Sequence, residues 1–190
     1  MRITWDPSAP LVDVDGATGM QGGSSLINRC YNIFRSYLAC CNRIHGFTRD
    51  TTKPAAQQLV AKGVEVVIIQ LIIDNKEVVF KAFVGANMVF LVTDFWEQIT
   101  LEKEVSEGMM FIDAIKAAGV DRLVRLSKAS TGKYVHVIHF NGKVDVTEYR
   151  RQSGVPFVDV QAGLYPNNFL HNTTMLAKQE DGTFTIEWPL

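Results

Sequence analysis

The 190-residue sequence has no excess of basic charge: 19 lysines and arginines stand against 20 aspartates and glutamates, a net charge of -1. Binding to nucleic acid or to an anionic membrane surface by bulk electrostatics is therefore not expected. Cysteine is scarce, with Cys30, Cys40 and Cys41 making three. An odd number with two adjacent is no disulfide framework, and adjacent cysteines rarely close a strain-free bridge. They read as small apolar residues of a reduced compartment, the cytoplasm with the nucleus as a second location. No Cys or His pair stands at zinc spacing, so no metal site is expected. No apolar run reaches the roughly 20 residues that span a bilayer. The longest, Val64–Ile73 and Ala86–Thr93, contain polar residues and have strand length. The start, Met1–Pro10, lacks the basic end and apolar centre of a signal peptide. Internal repeats and low-complexity linkers are also missing.

What is present is an ordinary globular composition, 47% apolar and 21% charged, which excludes a disordered chain, a collagen-like fibre and a coiled coil. The length suits one domain, or one domain plus a fragment. Short β-branched runs alternate with longer helical patterns. Strands are predicted at Leu11–Asp15, Ile44–Thr48, Val64–Gln70, Met88–Val92, Leu123–Ser127 and Phe157–Val160. Helices are predicted near Gln21–Cys41, Pro54–Lys62, Lys76–Phe83, Glu102–Ala118 and Phe140–Ser153. Strands separated by helices imply βαβ crossovers, hence an α/β fold with a doubly wound, Rossmann-like parallel sheet and helices on both faces. Gly63, Gly119 and Gly154 each follow a helical pattern, where a left-handed cap is needed. In Glu102–Ala118, Val105, Met109 and Ile112 form a stripe that Phe111, Ile115 and Ala118 widen, as a core-packing helix requires. Beyond Val160 the pattern weakens into a loop and a threonine-rich segment. The expected division is 1–160 as one α/β domain and 161–190 as the start of a truncated C-terminal region.

Gly16-Ala17-Thr18-Gly19-Met20-Gln21-Gly22 reads GxxGxxG between the first strand and the first helix. Glycines let the chain turn tightly and bring backbone N–H groups to a pyrophosphate, and the following helix aims its positive end at the phosphates. The plain alternative is a tight strand-to-helix turn. The second strand ends Phe47-Thr48-Arg49-Asp50. An acid at that tip holds a ribose 2′-hydroxyl, whereas an arginine suits a 2′-phosphate. Arg49, with Lys53 close behind, favours NADP, with NAD as the second cofactor; a solvated loop arginine is the alternative. The first strand carries Asp13 and Asp15, unusual in a central parallel strand. Each needs a partner or a proton, and Asp15 would repel a pyrophosphate.

Several stretches resemble the NmrA-like family, an atypical branch of the short-chain dehydrogenase/reductase fold. They are Asp15–Gly23, Phe47–Asp50, Val64–Val67, Gly85–Glu97 (GANMVFLVTDFWE), Ala114–Val124 (AIKAAGVDRLV), Gly132–Lys143 (GKYVHVIHFNGK) and Val155–Phe169. The likeness runs from about Leu11 to Phe169. It implies a dinucleotide ligand held by Gly16, Thr18, Gly19, Met20, Gln21, Gly22, Arg49 and Lys53. It further implies Gln70 at the adenine, where relatives carry an aspartate, and Thr93 beside the adenine or ribose. Lys143 would hold the nicotinamide ribose, and Gly163 to Asn168 would pass under the nicotinamide. Members are typically longer, with a C-terminal substrate or partner region. Some are nicotinamide-dependent reductases. Others bind the dinucleotide without turning it over and regulate transcription through a protein partner, so a transcription factor and a homodimer are the implied partners, with no direct nucleic-acid contact.

Reduction in the parent fold uses a tyrosine four residues before the lysine, on the same helix face. Here that position is His139, and Tyr134 lies outside the spacing. Histidine can donate a proton near neutral pH, so His139 is the candidate acid, or else a polar residue bordering the cleft. Ser127, at the end of the fifth strand, would orient a substrate carbonyl or cap a turn. Phe95 and Trp96 are candidate packing residues. Three readings stand: an NADP(H)-binding regulator without strong turnover; a reductase of a small carbonyl or quinone-like substrate using His139, Lys143 and Ser127; and a family member in which Asp15 and the long Ser24–His45 stretch prevent binding.

Overall fold

The computed structural model describes residues 2–19, 22–23, 41–69, 76–93, 100–127, 138–161 and 176–186. The chain divides into two compact units, Met1–Val160 and Gln161–Leu190. The strands are β1 (Arg2–Ile3), β2 (Leu11–Val14), β3 (Cys41–Thr48), β4 (Glu65–Ile68), β5 (Met88–Leu91), β6 (Arg122–Ser127), β7 (Phe157–Gln161), β8 (Leu176–Lys178) and β9 (Phe184–Ile186). The described helices are α1 (Pro54–Ala61), α2 (Lys76–Phe83), α3 (Leu101–Ala117) and α4 (Ile138–Ser153).

The first unit is built on a seven-stranded sheet in the order β1-β3-β2-β5-β6-β7, with β4 also on β3. β2 pairs in parallel with β3 from Leu11↔Arg43 to Val14↔Gly46, and with β5 from Val12↔Met88 to Val14↔Phe90. β5 continues in parallel to β6, from Met88↔Arg122 to Leu91↔Arg125. The chain leaves β2 towards β3 and β4, then crosses back to lay β5 on the other side of β2. Strand order therefore reverses between β2 and β5, and the crevice outside their carboxyl ends is the ligand position favoured by this topology.

Both sheet faces are covered. Leu11, Val89, Leu91 and Leu123 pack against Val79 and Phe83 of α2, Phe111, Ile112 and Ile115 of α3 and Val146 of α4. Val12, Val14, Ile44, Met88, Phe90 and Val124 form the other face with Leu59 of α1. This is the doubly wound α/β arrangement expected from the sequence, and burial on both faces explains the near-continuous apolar runs such as Met88–Leu91. Gly63, Gly119 and Gly154 have φ of +90°, +70° and +78°, the left-handed conformation expected after α1, α3 and α4.

Several expectations need correction. Cys41 lies in β3, not at the end of a helix, because β1 pairs with the start of β3 at Arg2↔Cys41 and Ile3↔Asn42. β1 is a two-residue strand without a periodic signal, and tertiary pairing alone makes it one. In the second unit, β8 and β9 form an antiparallel hairpin where the sequence suggested only an irregular segment; the Asp181 carboxylate closes its turn by accepting from Thr183 N at 2.9 Å and Thr183 Oγ1 at 2.6 Å. The expected stripe of α3 holds for Phe111, Ile112 and Ile115, which are buried, and for Val105 and Ala118, which pack against them, and it is wider than expected. Its buried residues are Glu104, Gly108, Met110, Phe111, Ile112, Ala114 and Ile115, so an acid and a glycine join the core-facing side while Val105 is partly buried.

Gly108 faces α4 at close range: a Cβ there would stand 2.5 and 2.6 Å from the two γ-carbons of Val146. G108A is expected to lower unfolding free energy by about 1–3 kcal/mol, the usual cost of overpacking. Urea denaturation checks this, and a midpoint equal to wild type would contradict it.

Candidate functional site

The Gly16–Gly23 bend begins at the carboxyl end of β2. Asp15 N donates to Phe90 O (2.9 Å) and Ala17 N to Phe47 O (3.1 Å), so the bend is tied to both neighbouring strands. Gly16 has φ +60°, a conformation that glycine adopts without strain. Gly19 N closes a turn on Gly16 O and Gly23 N donates to Gly19 O, each at 2.8 Å. A Cβ on Gly22 would lie 2.3 Å from Gly16 O and 2.8 Å from Asp15 O. Backbone presses on backbone here, which no other residue permits. The Thr18 and Thr48 hydroxyls meet at 3.2 Å, linking the bend to the tip of β3.

Beyond that tip the Asp50 carboxylate accepts from Thr52 N (2.8 Å) and Thr52 Oγ1 (2.6 Å), and these bonds hold it below the ordinary carboxyl range. Asp50 is spent on its own turn, and Arg49 is exposed. Lys53 is exposed and precedes Pro54, the first residue of α1.

Asp15 sits where the reversal places it, between the bend and the end of β5. Burial pushes its carboxyl up from 3.8 to about 7; the amides of Gly16 and Val92 pull it back, the charge of Glu107 on α3 adds to the rise, and Arg49 opposes it. Asp13 meets its need for a partner differently. Aligned across β2, β3 and β4 are Asp13, His45 and Glu65, with His45 Nδ1 3.2 Å from Asp13 Oδ1 and Nε2 3.2 Å from Glu65 Oε2. Neither Asp13 oxygen has hydrogen-bond geometry, so the contact is an electrostatic one. Burial raises the Asp13 carboxyl despite His45, and the Asp13 contact raises the His45 imidazole.

Across the crevice, Lys143 of α4 reaches the end of β5. Its ammonium donates to Glu104 Oε1 (2.7 Å), Thr93 O (3.1 Å) and Thr93 Oγ1 (3.3 Å). The Thr93 hydroxyl in turn donates to Glu104 Oε1 at 3.0 Å. The Lys143 carbonyl accepts from Thr147 Oγ1 (2.7 Å) and Arg125 Nη1 (3.2 Å). Arg125 is fully buried, and burial brings its guanidinium down to about 10 against the opposing charges of Asp159 and Glu104. Arg150, also fully buried, pairs with Asp159 at 2.9 Å.

The fold thus gathers Gly16, Thr18, Gly19, Gly22, Arg49, Thr93, Ser127 and Lys143 along the carboxyl edge of one sheet. Ser127 is buried at the end of β6. His139 is in the first turn of α4, one helical turn from Lys143, with its side chain outside the described residues. Met20, Gln21, Gln70, Gly163 and Asn168 also lie outside them, as do Phe95, Trp96, Cys30 and Cys40. Sequence reasoning missed Glu104, Arg125 and Arg150. For Glu104 a signal existed: it stands four residues before Gly108 and seven before Phe111, on the stripe that ends in Ile112 and Ile115.

A family model described as the NmrA-like family matches residues 9–190. The chain belongs to the NmrA-like family. Among curated relatives of this family member, the NmrA-like family domain-containing oxidoreductase cpsB of Aspergillus campestris is 35% identical over 133 residues, which is 67% of this chain and 36% of the relative. Among solved structures, a negative transcriptional regulator, NmrA, in complex with NADP is 25% identical with a TM-score of 0.71, over 93% of this chain and 53% of that one. The triphenylmethane reductase of Citrobacter sp. complexed with NADP(H) shares the fold at 20% identity and a TM-score of 0.67, over 83% of this chain and 51% of that one. This chain therefore spans about half the length of these solved relatives and about a third of the curated one.

Proposed function

We propose that this protein binds NADP(H), with NAD(H) as the weaker ligand, and acts as a redox-sensing regulator without strong turnover. The pyrophosphate would lie on the amides of the Gly16–Gly22 bend, the 2′-phosphate at Arg49 and Lys53, and the nicotinamide ribose at Lys143. Residues 1–160 would carry this site, and 161–190 would begin the partner region. The observation that carries the reading is the approach of Gly22 to Gly16 O, which leaves no room for a Cβ, at the point where strand order reverses. A backbone packed that tightly, at the carboxyl end of β2, lets the chain come close to a diphosphate. Binding without strong turnover is supported by histidine at position 139, where the parent reaction uses tyrosine. A regulator of this kind acts through a protein partner, a transcription factor, and a homodimer is compatible with it.

A second reading is an NAD(P)H-dependent oxidoreductase of a small carbonyl or quinone-like substrate, with His139 as proton donor and Lys143 and Ser127 assisting. The 35% identity to a relative described as an oxidoreductase favours it. Calorimetric titration with NADPH, NADP, NADH and NAD tests both. Saturable binding is expected, with NADPH preferred, and R49A is expected to weaken NADPH about tenfold or more while leaving NADH nearly unchanged, as loss of one charge-assisted phosphate contact requires. Absence of saturable binding to any dinucleotide overturns the proposal. Steady NADPH oxidation across a carbonyl panel, abolished by H139A, replaces the regulator by the enzyme.

A further inference from the structure

Glu104 has no part in the sequence pattern of the site, yet it makes the shortest contact to Lys143. Its side chain is 1% exposed, and that of Lys143 is 17% exposed. One carboxylate oxygen binds the ammonium and the Thr93 hydroxyl, while Oε2 is buried without a hydrogen-bond partner. A half-satisfied buried carboxylate is a poor stabilising device; an apolar residue of similar volume serves a core as well or better. The helices nonetheless make room for it. A Cβ on Gly142 of α4 would fall 2.9 Å from Glu104 Oε2 and 2.9 Å from Leu101 Cδ1. Glycine at 142, beside Lys143, lets the α3 carboxylate lie against α4 and beneath the ammonium.

We propose that Glu104 is a positioning residue: it anchors the Lys143 ammonium at the carboxyl end of β5, where the nicotinamide-side ribose of a bound dinucleotide would lie. The role rests on the dinucleotide reading above. All three ammonium donors are engaged within the protein, two of them by the neutral oxygens of Thr93 at 3.1 and 3.3 Å. Those two are the weaker contacts and exchange for ribose hydroxyls. The charge-assisted 2.7 Å contact to Glu104 is the stronger one and stays. Glu104 acts as the fixed end of a pivot, and Thr93 as the placeholder for the sugar. The backbone of Lys143 is held as well, through its carbonyl, by Arg125 and Thr147. The ammonium is thus free to change partners but not place.

Two ligands separate this role from a merely structural one. NADPH reaches Lys143. Adenosine 2′,5′-bisphosphate has the adenine end and the 2′-phosphate but no nicotinamide ribose. E104Q keeps the shape and removes the charge. It is expected to weaken NADPH about tenfold, the worth of one oriented charged hydrogen bond, and to leave the bisphosphate within about twofold of wild type. In a K143M background E104Q is expected to change neither affinity further. Melting curves confirm folding; should E104Q fail to fold, E104D, which withdraws the charge by one methylene, takes its place with the same NADPH-selective loss. Equal weakening of both ligands, an undiminished effect in K143M, or no effect on NADPH overturns the inference. Wild-type protein that binds neither ligand overturns the dinucleotide reading and this role with it.

Discussion

Alanine at Gly22 is expected to weaken dinucleotide binding on the order of a hundredfold and to destabilise the first unit. Its methyl group would stand 2.3 Å from Gly16 O, 2.6 Å from Gly16 C and 2.8 Å from Asp15 O. All three are backbone atoms, so no side chain can swing away. The bend must open, and the backbone at Gly16 must move with it. Overpacking of this kind costs about 1–3 kcal/mol of folding free energy. The larger effect falls on binding. Amide–phosphate hydrogen bonds are charge-assisted, and misplacing one or two of them at about 1.5–3 kcal/mol each lowers affinity on the order of a hundredfold. Calorimetry with NADPH alongside chemical denaturation measures both. Wild-type affinity in G22A would show that the bend does not cradle phosphate.

Asp15 should make binding depend on pH. Its carboxyl is raised to about 7 by burial, with Glu107 adding to the rise and Arg49 opposing it. Below that pH it is neutral beside the bend; above it, it is an anion facing the pyrophosphate. Affinity for NADH, whose pyrophosphate keeps its charge throughout, is therefore expected to fall as pH rises from 6 to 8. A single proton with that pKa can change affinity by at most about tenfold between pH 6 and 8, and the repulsion of about 4 kcal/mol between unit charges a few ångströms apart at an effective dielectric of about 20 is enough to reach that limit. D15N is expected to bind with the affinity of the low-pH form at every pH. NADH is preferred to NADPH for this test because a 2′-phosphate titrates in the same range. A flat wild-type profile would remove Asp15 from the site. Stability carries the same sign. An acid whose folded pKa is raised holds its full contribution below its ordinary value of 3.8 and loses it progressively up to about 7. D15N should therefore melt higher than wild type at pH 8, with the gap closing towards pH 4.

The two aspartates of β2 show how far the sequence could be read. Leu-Val-Asp-Val-Asp announces a conflict with a central parallel strand, and each acid does need a partner or a proton. Which solution each adopts depends on neighbours far along the chain. Asp13 is aligned with His45 and Glu65 by strand register. Asp15 feels the charge of Glu107, which α3 brings within electrostatic reach.

The alternation of β-branched runs with amphipathic stretches, the three glycine caps and the GxxGxxG bend after the first strand follow from local rules: period, left-handed φ and turn chemistry act within a few residues. They determine the α/β class and the place of the glycine-rich bend. The partner of Lys143 is another matter. Glu104 lies 39 positions away on the buried side of another helix. It faces Lys143 because Gly108 and Gly142 let two helices approach closer than side chains allow. β1 likewise exists through its pairing with β3. Contacts between segments distant in sequence are decided by packing, and packing is a property of the folded chain.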